Sequence, residues 1–184
     1  MKAIMVDLET LSLRPTAKVL QVGVFVVDTT PGVAQRPAFD IWVSDPKGHV
    51  DPSTVAWWET QAADIRQRVF HAPEGEARQC DDELFRSLSV VYNVLGGKNA
   101  GVTVWAKPGM FDLPILTNLW EGRKPWPHYM ERDLYTLART LDPKKELQPP
   151  ANGAAHVASA DAEWQGLYLI ALEARARALG LEVT

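Results

Sequence analysis

Asp7 and Glu9 stand one residue apart in the apolar run Ile4-Met5-Val6-Asp7-Leu8-Glu9. On an extended strand successive side chains alternate between faces, so the two carboxylates project the same way, close enough to repel, while Leu8 points the other way. Their apolar neighbours Ile4 and Val6 put both acids at the edge of a core, where an uncompensated charge is costly. Such a pair needs a cation or an exposed strand end; the plainer alternative is a strand that stops at Leu8 and leaves Glu9 in water. Two more acids lie far along the chain. Asp112 follows Phe111 and the turn Lys107-Pro108-Gly109-Met110, a setting that equally suits a helix N-cap. Asp161 opens a final helical stretch, where an acid suits the helix dipole, and His156 precedes it by five residues.

These residues must be carried by a fold that brings positions 7, 112 and 161 together. Residues 4–9 read as a first strand, and 18–28, dense in β-branched residues and closed by Thr29-Thr30-Pro31-Gly32, as a second. Residues 39–44 make a third candidate. Turn-rich connections between them predict a sheet that opens as an antiparallel meander. The remainder switches to helical spacing. Asp51 caps a helix with Pro52 at its first position, continuing over 54–70 with Trp58, Ala62, Ile65 and Val69 as its apolar stripe. A second helix is predicted over 81–95, closed by Gly96-Gly97, then a buried strand over 102–106. A helix over 112–120 follows, with Pro114 tolerated in its first turn, and another over 134–141. The proline- and glycine-punctuated segment 143–155 is a loop that borders a site, and a last helix over 161–179 ends at Gly180 as the C′ residue. The reading is one α/β domain over residues 1–184, a mixed central sheet flanked by helices.

Composition excludes several classes. Hydrophobic residues make up 46% and charged residues 23% of 184, ordinary globular proportions that exclude disorder, collagen-like repeats and a coiled coil. Nineteen basic against 23 acidic residues give a net charge of −4, the wrong sign for a protein that coats nucleic acid through a broad basic surface. The single cysteine, Cys80, forms no internal disulfide, which fits a reducing cytoplasm. No apolar run approaches the roughly 18 residues needed to span a bilayer, so no membrane partner is expected. Neither G-x-x-x-x-G-K-[ST] nor G-x-G-x-x-G occurs, so the usual nucleotide cradles are missing.

Asp7-Leu8-Glu9-Thr10, Val104-Trp105 through Phe111-Asp112, and His156-Val157-Ala158-Ser159-Ala160-Asp161 occur in that order and cover most of the chain. Each motif is weak alone; together they resemble the DEDD exonucleases of the ribonuclease H-like fold. The likeness is to the subgroup with a catalytic histidine, alongside ribonuclease T, oligoribonuclease and bacterial polymerase proofreading subunits. Val157 stands where the tyrosine subgroup carries its tyrosine. Trp57-Trp58-Glu59-Thr60-Gln61 is similar to the Trp-Trp-x-x-Gln helix of a small phage and mycobacterial exoribonuclease-like branch.

The resemblance implies that Asp7, Glu9, Asp112 and Asp161 hold two divalent cations, Mg²⁺ or Mn²⁺, which offset the crowded charge. It makes His156 the general base, a role that suits imidazole because the free side chain titrates near neutrality. His49, His71 and His128 read as structural. Thr10 would lie beside the terminal 3′ hydroxyl. Trp57 or Trp58, with Gln61 and Phe111, would touch substrate, since an aromatic side chain can stack on a terminal base. Asp133 in Arg132-Asp133-Leu134 reads as an N-cap before a metal ligand. Arg14, Lys18, Lys107, Lys144 and Lys145 are candidate phosphate contacts that nothing in the sequence ranks.

The implied activity is a metal-dependent 3′-to-5′ exonuclease releasing nucleoside 5′-monophosphates from a single strand or 3′ overhang. RNA is the first expectation, and single-stranded DNA the alternative, since the phosphodiester is common to both and discrimination needs 2′-hydroxyl contacts. A catalytically silent nucleic-acid-binding domain on the same fold is the rival from another class, against which stands the presence of all four acids and the histidine. Relatives of this kind are often dimers, so a homodimer is a further expectation, though no interface shows in the pattern.

Overall fold

The computed structural model describes residues 1–44 and 47–183. Five strands form one sheet in the order β3-β2-β1-β4-β5, built from β1 (Lys2–Thr10), β2 (Val19–Asp28), β3 (Phe39–Trp42), β4 (Thr103–Ala106) and β5 (Glu131–Asp133). The expected meander is present: β1 pairs antiparallel with β2, and β2 with β3. On the other side of β1 the pairing turns parallel, to β4 and then β5. Among the described residues six α-helices flank the sheet: α1 (Pro52–Glu59), α2 (Ala63–Phe70), α3 (Asp81–Val94), α4 (Gly109–Leu119), α5 (Leu134–Leu141) and α6 (Ala158–Ala178).

The alternation along β1 decides what each residue meets. Ile4, Val6 and Leu8 pack with Leu84, Leu88 and Tyr92 of α3 and Leu113, Ile115 and Leu116 of α4. Ala3 and Met5 pack on the opposite face with Leu134 of α5 and Ala162, Leu169 and Leu172 of α6. Asp7 and Glu9 continue that second series and so face α6. Two glycines let α6 lie close against β2. A Cβ on Gly23 would fall 2.0 Å from the backbone carbon of Ala158, and one on Gly166 would fall 2.2 Å from Cδ1 of Phe25. Among the described residues no helix is long and apolar enough to cross a membrane.

Several predicted boundaries shift. The helix expected over 54–70 is two helices, because Thr60 and Gln61 turn their N–H groups back to Trp57 and Trp58 and end α1 at Glu59. Trp58 and Val69 of the expected stripe are buried, whereas Ala62 is exposed between the helices. The third strand stops at Trp42, two residues short of the prediction. Helix α4 starts at Gly109, three residues early, so Pro114 sits past the first turn and Asp112 is no N-cap. Helix α6 likewise starts at Ala158. Gly180 has the positive φ, 72°, expected of its C′ role. Strand β5 has no counterpart in the prediction; at three half-buried residues it is too short to leave a pattern.

Candidate active site

Asp7 and Glu9 occupy the end of β1, where the strand leaves the core beneath the start of α6. The C-terminal end of β4 leads into α4, whose fourth residue, Asp112, returns across the sheet end: its Oδ1 accepts the Leu8 N–H at 3.1 Å. Asp161 stands in the first turn of α6. Its carboxylate accepts the Asn152 side-chain amide at 2.9 Å and the His156 backbone N–H at 2.7 Å. Ligand-capable atoms of Glu9, His156 and Asp161 lie within 4.8 Å of one another. The four acids and the histidine therefore meet at one end of the sheet.

Their charges crowd. Loss of hydration raises the Asp7 carboxyl well above the ordinary carboxylate range, helped by the charges of Asp112, Glu9 and Asp161 and opposed by the amide of Gln165. Burial, with the charges of Asp161, Asp112 and Asp40, pushes Glu9 up to about 8. Burial also pushes Asp112 to about 7, against the Leu8 hydrogen bond. Asp112 Oδ2 is buried and has no hydrogen-bond partner among the described residues. A hard divalent cation fits this donor set: the ligands are carboxylate oxygens, one is orphaned, and positive charge would relieve the repulsion.

His156 projects from the loop before α6 with φ of 67°, a left-handed conformation uncommon for a side-chain-bearing residue. Two contacts hold it there, its N–H to Asp161 and its ring set perpendicular to that of Trp57 with the centroids 4.9 Å apart. The predicted loop thus does border the site. Asn152 ties it down by donating to Ala160 O as well as to Asp161.

Beside Glu9 opens a cleft of about 400 Å³ lined by Glu9, Thr10, Leu13, Trp57, Trp58 and Phe111. Trp57 is 41% exposed and offers its ring to the cleft, whereas Trp58 is 2% exposed and donates its indole N–H to Thr10 O at 2.9 Å, so it builds the wall. The Thr10 hydroxyl donates to Ser12 O at 2.8 Å, which leaves its lone pairs for an incoming donor. Gln61 does not join them. Because α1 has already ended, it shares no helix face with Trp57; its amide donates to Trp57 O and Thr60 Oγ1 and it does not line the cleft. Asp133 is an N-cap, accepting from Tyr135 and Thr136 of α5, and it also accepts the Gly109 N–H that begins α4.

Sequence reasoning missed three supporting residues. Gln165, 5% exposed, donates to Asp7 Oδ1 at 2.7 Å; its place one helical turn after Asp161 was the available signal. Asp40 on β3 accepts Ser159 N and Oγ, both at 2.7 Å, and so caps the helix that carries Asp161. Neither Asp40 nor Asn152 has a local signature, since each acts only through tertiary contact.

Solved structures share the fold. E. coli exonuclease I, in a metal-free complex with single-stranded DNA, superposes with a TM-score of 0.62 at 15% identity over 97% of this chain and 41% of its own. Exonuclease X in complex with 5′-overhanging duplex DNA gives 0.61 at 15% over 95% and 93%. Exonuclease I from Methylocaldum szegediense gives 0.58 at 14% over 93% and 40%. The chain spans about two-fifths of either exonuclease I. The shared architecture is the ribonuclease H-like one. No curated protein matches the sequence. Residues 2–172, however, match the family described as the 3′-5′ exoribonuclease Rv2179c-like domain. Nearly the whole chain, with all four converging acids, falls inside that match, and the protein belongs to this family of 3′-5′ exonucleases.

Proposed function

We propose that the protein is a metal-dependent 3′-to-5′ exoribonuclease that removes nucleoside 5′-monophosphates from a single strand or 3′ overhang. The observation that carries this reading is the convergence of Asp7, Glu9, Asp112 and Asp161 at one sheet end, where burial holds the carboxyls of Asp7, Glu9 and Asp112 above the ordinary carboxylate range, next to an aromatic cleft of about 400 Å³. These carboxylates would hold two divalent cations, Mg²⁺ or Mn²⁺, which when bound activate water and stabilise the departing 3′ oxygen.

The chain's own residues do the rest. Trp57 and Phe111 receive the terminal base, Trp58 backs the cleft, and Thr10 accepts from the 3′ hydroxyl. His156 takes the proton of the attacking water. It stands at the open edge of the acids, and its strained backbone is held by Asp161 on one side and Trp57 on the other. Gln165 orients Asp7 by donating to one of its oxygens and leaves the other to the cations, while Asn152 and the His156 N–H fix the two oxygens of Asp161, each of which keeps a lone pair for a cation. A single functional unit over the whole chain fits this assembly, since the site draws on β1, α1, α4 and α6.

Preference for RNA rests on the family description. Single-stranded DNA is the second reading, favoured by the DNA bound to the structurally similar exonucleases I and X. The test is incubation of purified protein with 3′- and 5′-labelled RNA and DNA oligonucleotides in Mn²⁺ or EDTA. Stepwise shortening of 5′-labelled RNA with release of monophosphates is expected in Mn²⁺ only. Activity unaffected by EDTA, or none on either polymer, refutes the catalytic reading; faster loss of DNA replaces RNA as the substrate.

A further inference from the structure

Lys107 follows β4, half-buried, and makes no ion pair among the described residues. Its Nζ rests 4.5 Å from the centroid of the Trp164 ring. That ring is itself pinned: the indole N–H donates to Pro149 O at 3.2 Å and Pro150 O at 3.0 Å, so α6 and the loop before it hold the platform together. Burial lowers the proton affinity of the Lys107 ammonium, and the charges of Asp161 and Asp7 oppose that while Lys145 adds to it. Lys107 lies one residue past β4, which runs parallel beside β1, and its ring partner Trp164 stands one helical turn after Asp161 on α6, so Lys107 flanks the acids, with Lys145 close enough to repel it.

Lys145 is also set in place. It adopts φ of 61° in a turn wound around Asp142, whose carboxylate accepts Glu146 N, Leu147 N and the Tyr168 hydroxyl. A desolvated lysine fixed on an aromatic ring, with a second lysine nearby and no carboxylate bonded to it, is arranged for an anion that arrives from outside. The parallel register of β4 beside β1, with Trp105 opposite Met5, sets Lys107 next to Asp7, whereas the cleft abuts Glu9 two residues farther along β1. A strand whose terminal nucleoside fills the cleft beside Glu9 can run its backbone over the acids and past Asp7 toward the two lysines.

We propose that Lys107, seated on Trp164 and seconded by Lys145, is the subsite for the backbone phosphates lying 5′ to the scissile bond. The assignment rests on the nuclease reading above and adds to it the direction in which the strand leaves. Lys107 is then a substrate-binding residue that fixes register, and it reads no base, since a phosphate contact carries no sequence information.

The test is equilibrium binding of a short 5′-labelled oligouridylate in EDTA across a range of ionic strength, for the wild type, Lys107→Gln, Lys107→Arg and Lys145→Gln, with KM measured in Mn²⁺. Lys107→Gln is expected to weaken binding about tenfold, in line with loss of a charge-assisted contact, and to flatten the dependence of log K on log salt by about 0.7. Lys107→Arg restores most of both, and Lys145→Gln, at an exposed position, gives a smaller loss. A single neutral methylphosphonate at the linkage that Lys107 holds erases the difference between wild type and Lys107→Gln. Unchanged affinity and salt slope in Lys107→Gln overturn the assignment, even where the wild type degrades RNA. Should Lys107→Gln unfold, an unchanged slope in Lys145→Gln overturns it. If the wild type degrades neither polymer but the salt slope falls as described, the nuclease reading fails and the phosphate subsite stands.

Discussion

Asp112→Asn separates the charge of the site from its shape. Asp112 Oδ1 accepts the Leu8 N–H, while Oδ2 is buried without a partner among the described residues. Burial is the chief cause of its rise from 3.8 to about 7, worth about 4 kcal/mol at roughly 1.36 kcal/mol per pH unit. Because the folded-state value is raised, this stability is fully present below the unfolded value and is lost as pH climbs through the folded one. The metal-free wild type at pH 8 therefore bears nearly all of the cost. Asparagine keeps the acceptor for Leu8 and removes the charge, but it turns the unpartnered atom into a buried donor, which costs roughly 1–3 kcal/mol. The net expectation is a metal-free variant more stable than wild type by roughly 1–3 kcal/mol at pH 8, or about 5 °C in Tm for a chain of this size, with the gain shrinking toward pH 5. Thermal and urea unfolding in EDTA at both pH values measure it. Mg²⁺ or Mn²⁺ should stabilise the wild type more than the variant, and exonuclease turnover of the variant should vanish under all conditions. A variant less stable than wild type at pH 8 in EDTA, with wild-type stability flat in pH, refutes the claim that the acids are held together against their own charge.

Glu9, raised from 4.5 to about 8 mainly by burial, makes the metal-free protein lose stability as pH rises across that window; urea titrations in EDTA at successive pH values should show the midpoint falling, and saturating Mn²⁺ should flatten the curve. Gly23→Ala places a Cβ 2.0 Å from the Ala158 backbone, where no side chain can swing aside; overpacking of this kind costs about 1–3 kcal/mol, and because the displaced turn carries Asp161, kcat should fall along with Tm. Trp57→Ala removes the exposed ring of the cleft, so KM should rise about 5- to 150-fold if base stacking is worth its usual ~1–3 kcal/mol, with Trp57→Phe losing far less; steady-state kinetics on a short RNA separate the two.

Local patterns were enough for much of the fold. The β-branched density of β2, the Asp51-Pro52 start of α1 and the Gly180 stop of α6 are each governed by neighbours in sequence, and each is where the residues said. The break between α1 and α2 was hidden because apolar spacing carries across it, and the early starts of α4 and α6 were hidden because Gly109 and Ala158 carry no cap signal.

The site divides along the same line. Asp7, Glu9, Asp112, His156 and Asp161 are each weak signals alone and are singled out by the order of three motifs and the family these resemble; the structure brings all five to one end of the sheet. Sequence also yielded Trp57 and Phe111, but not that Gln61 turns back on its own helix end while Trp58 walls the cleft. Only the tertiary structure could bring in Asn152 and Asp40, rank Lys107 above the other candidate lysines and set Gln165 on Asp7, because the partners lie on other elements: Gln165 meets Asp7 from 158 residues away, and Asp40 meets Ser159 from 119. A hydrogen bond between elements depends on how the sheet and helices pack, and packing at this range leaves no periodicity in the chain that makes it.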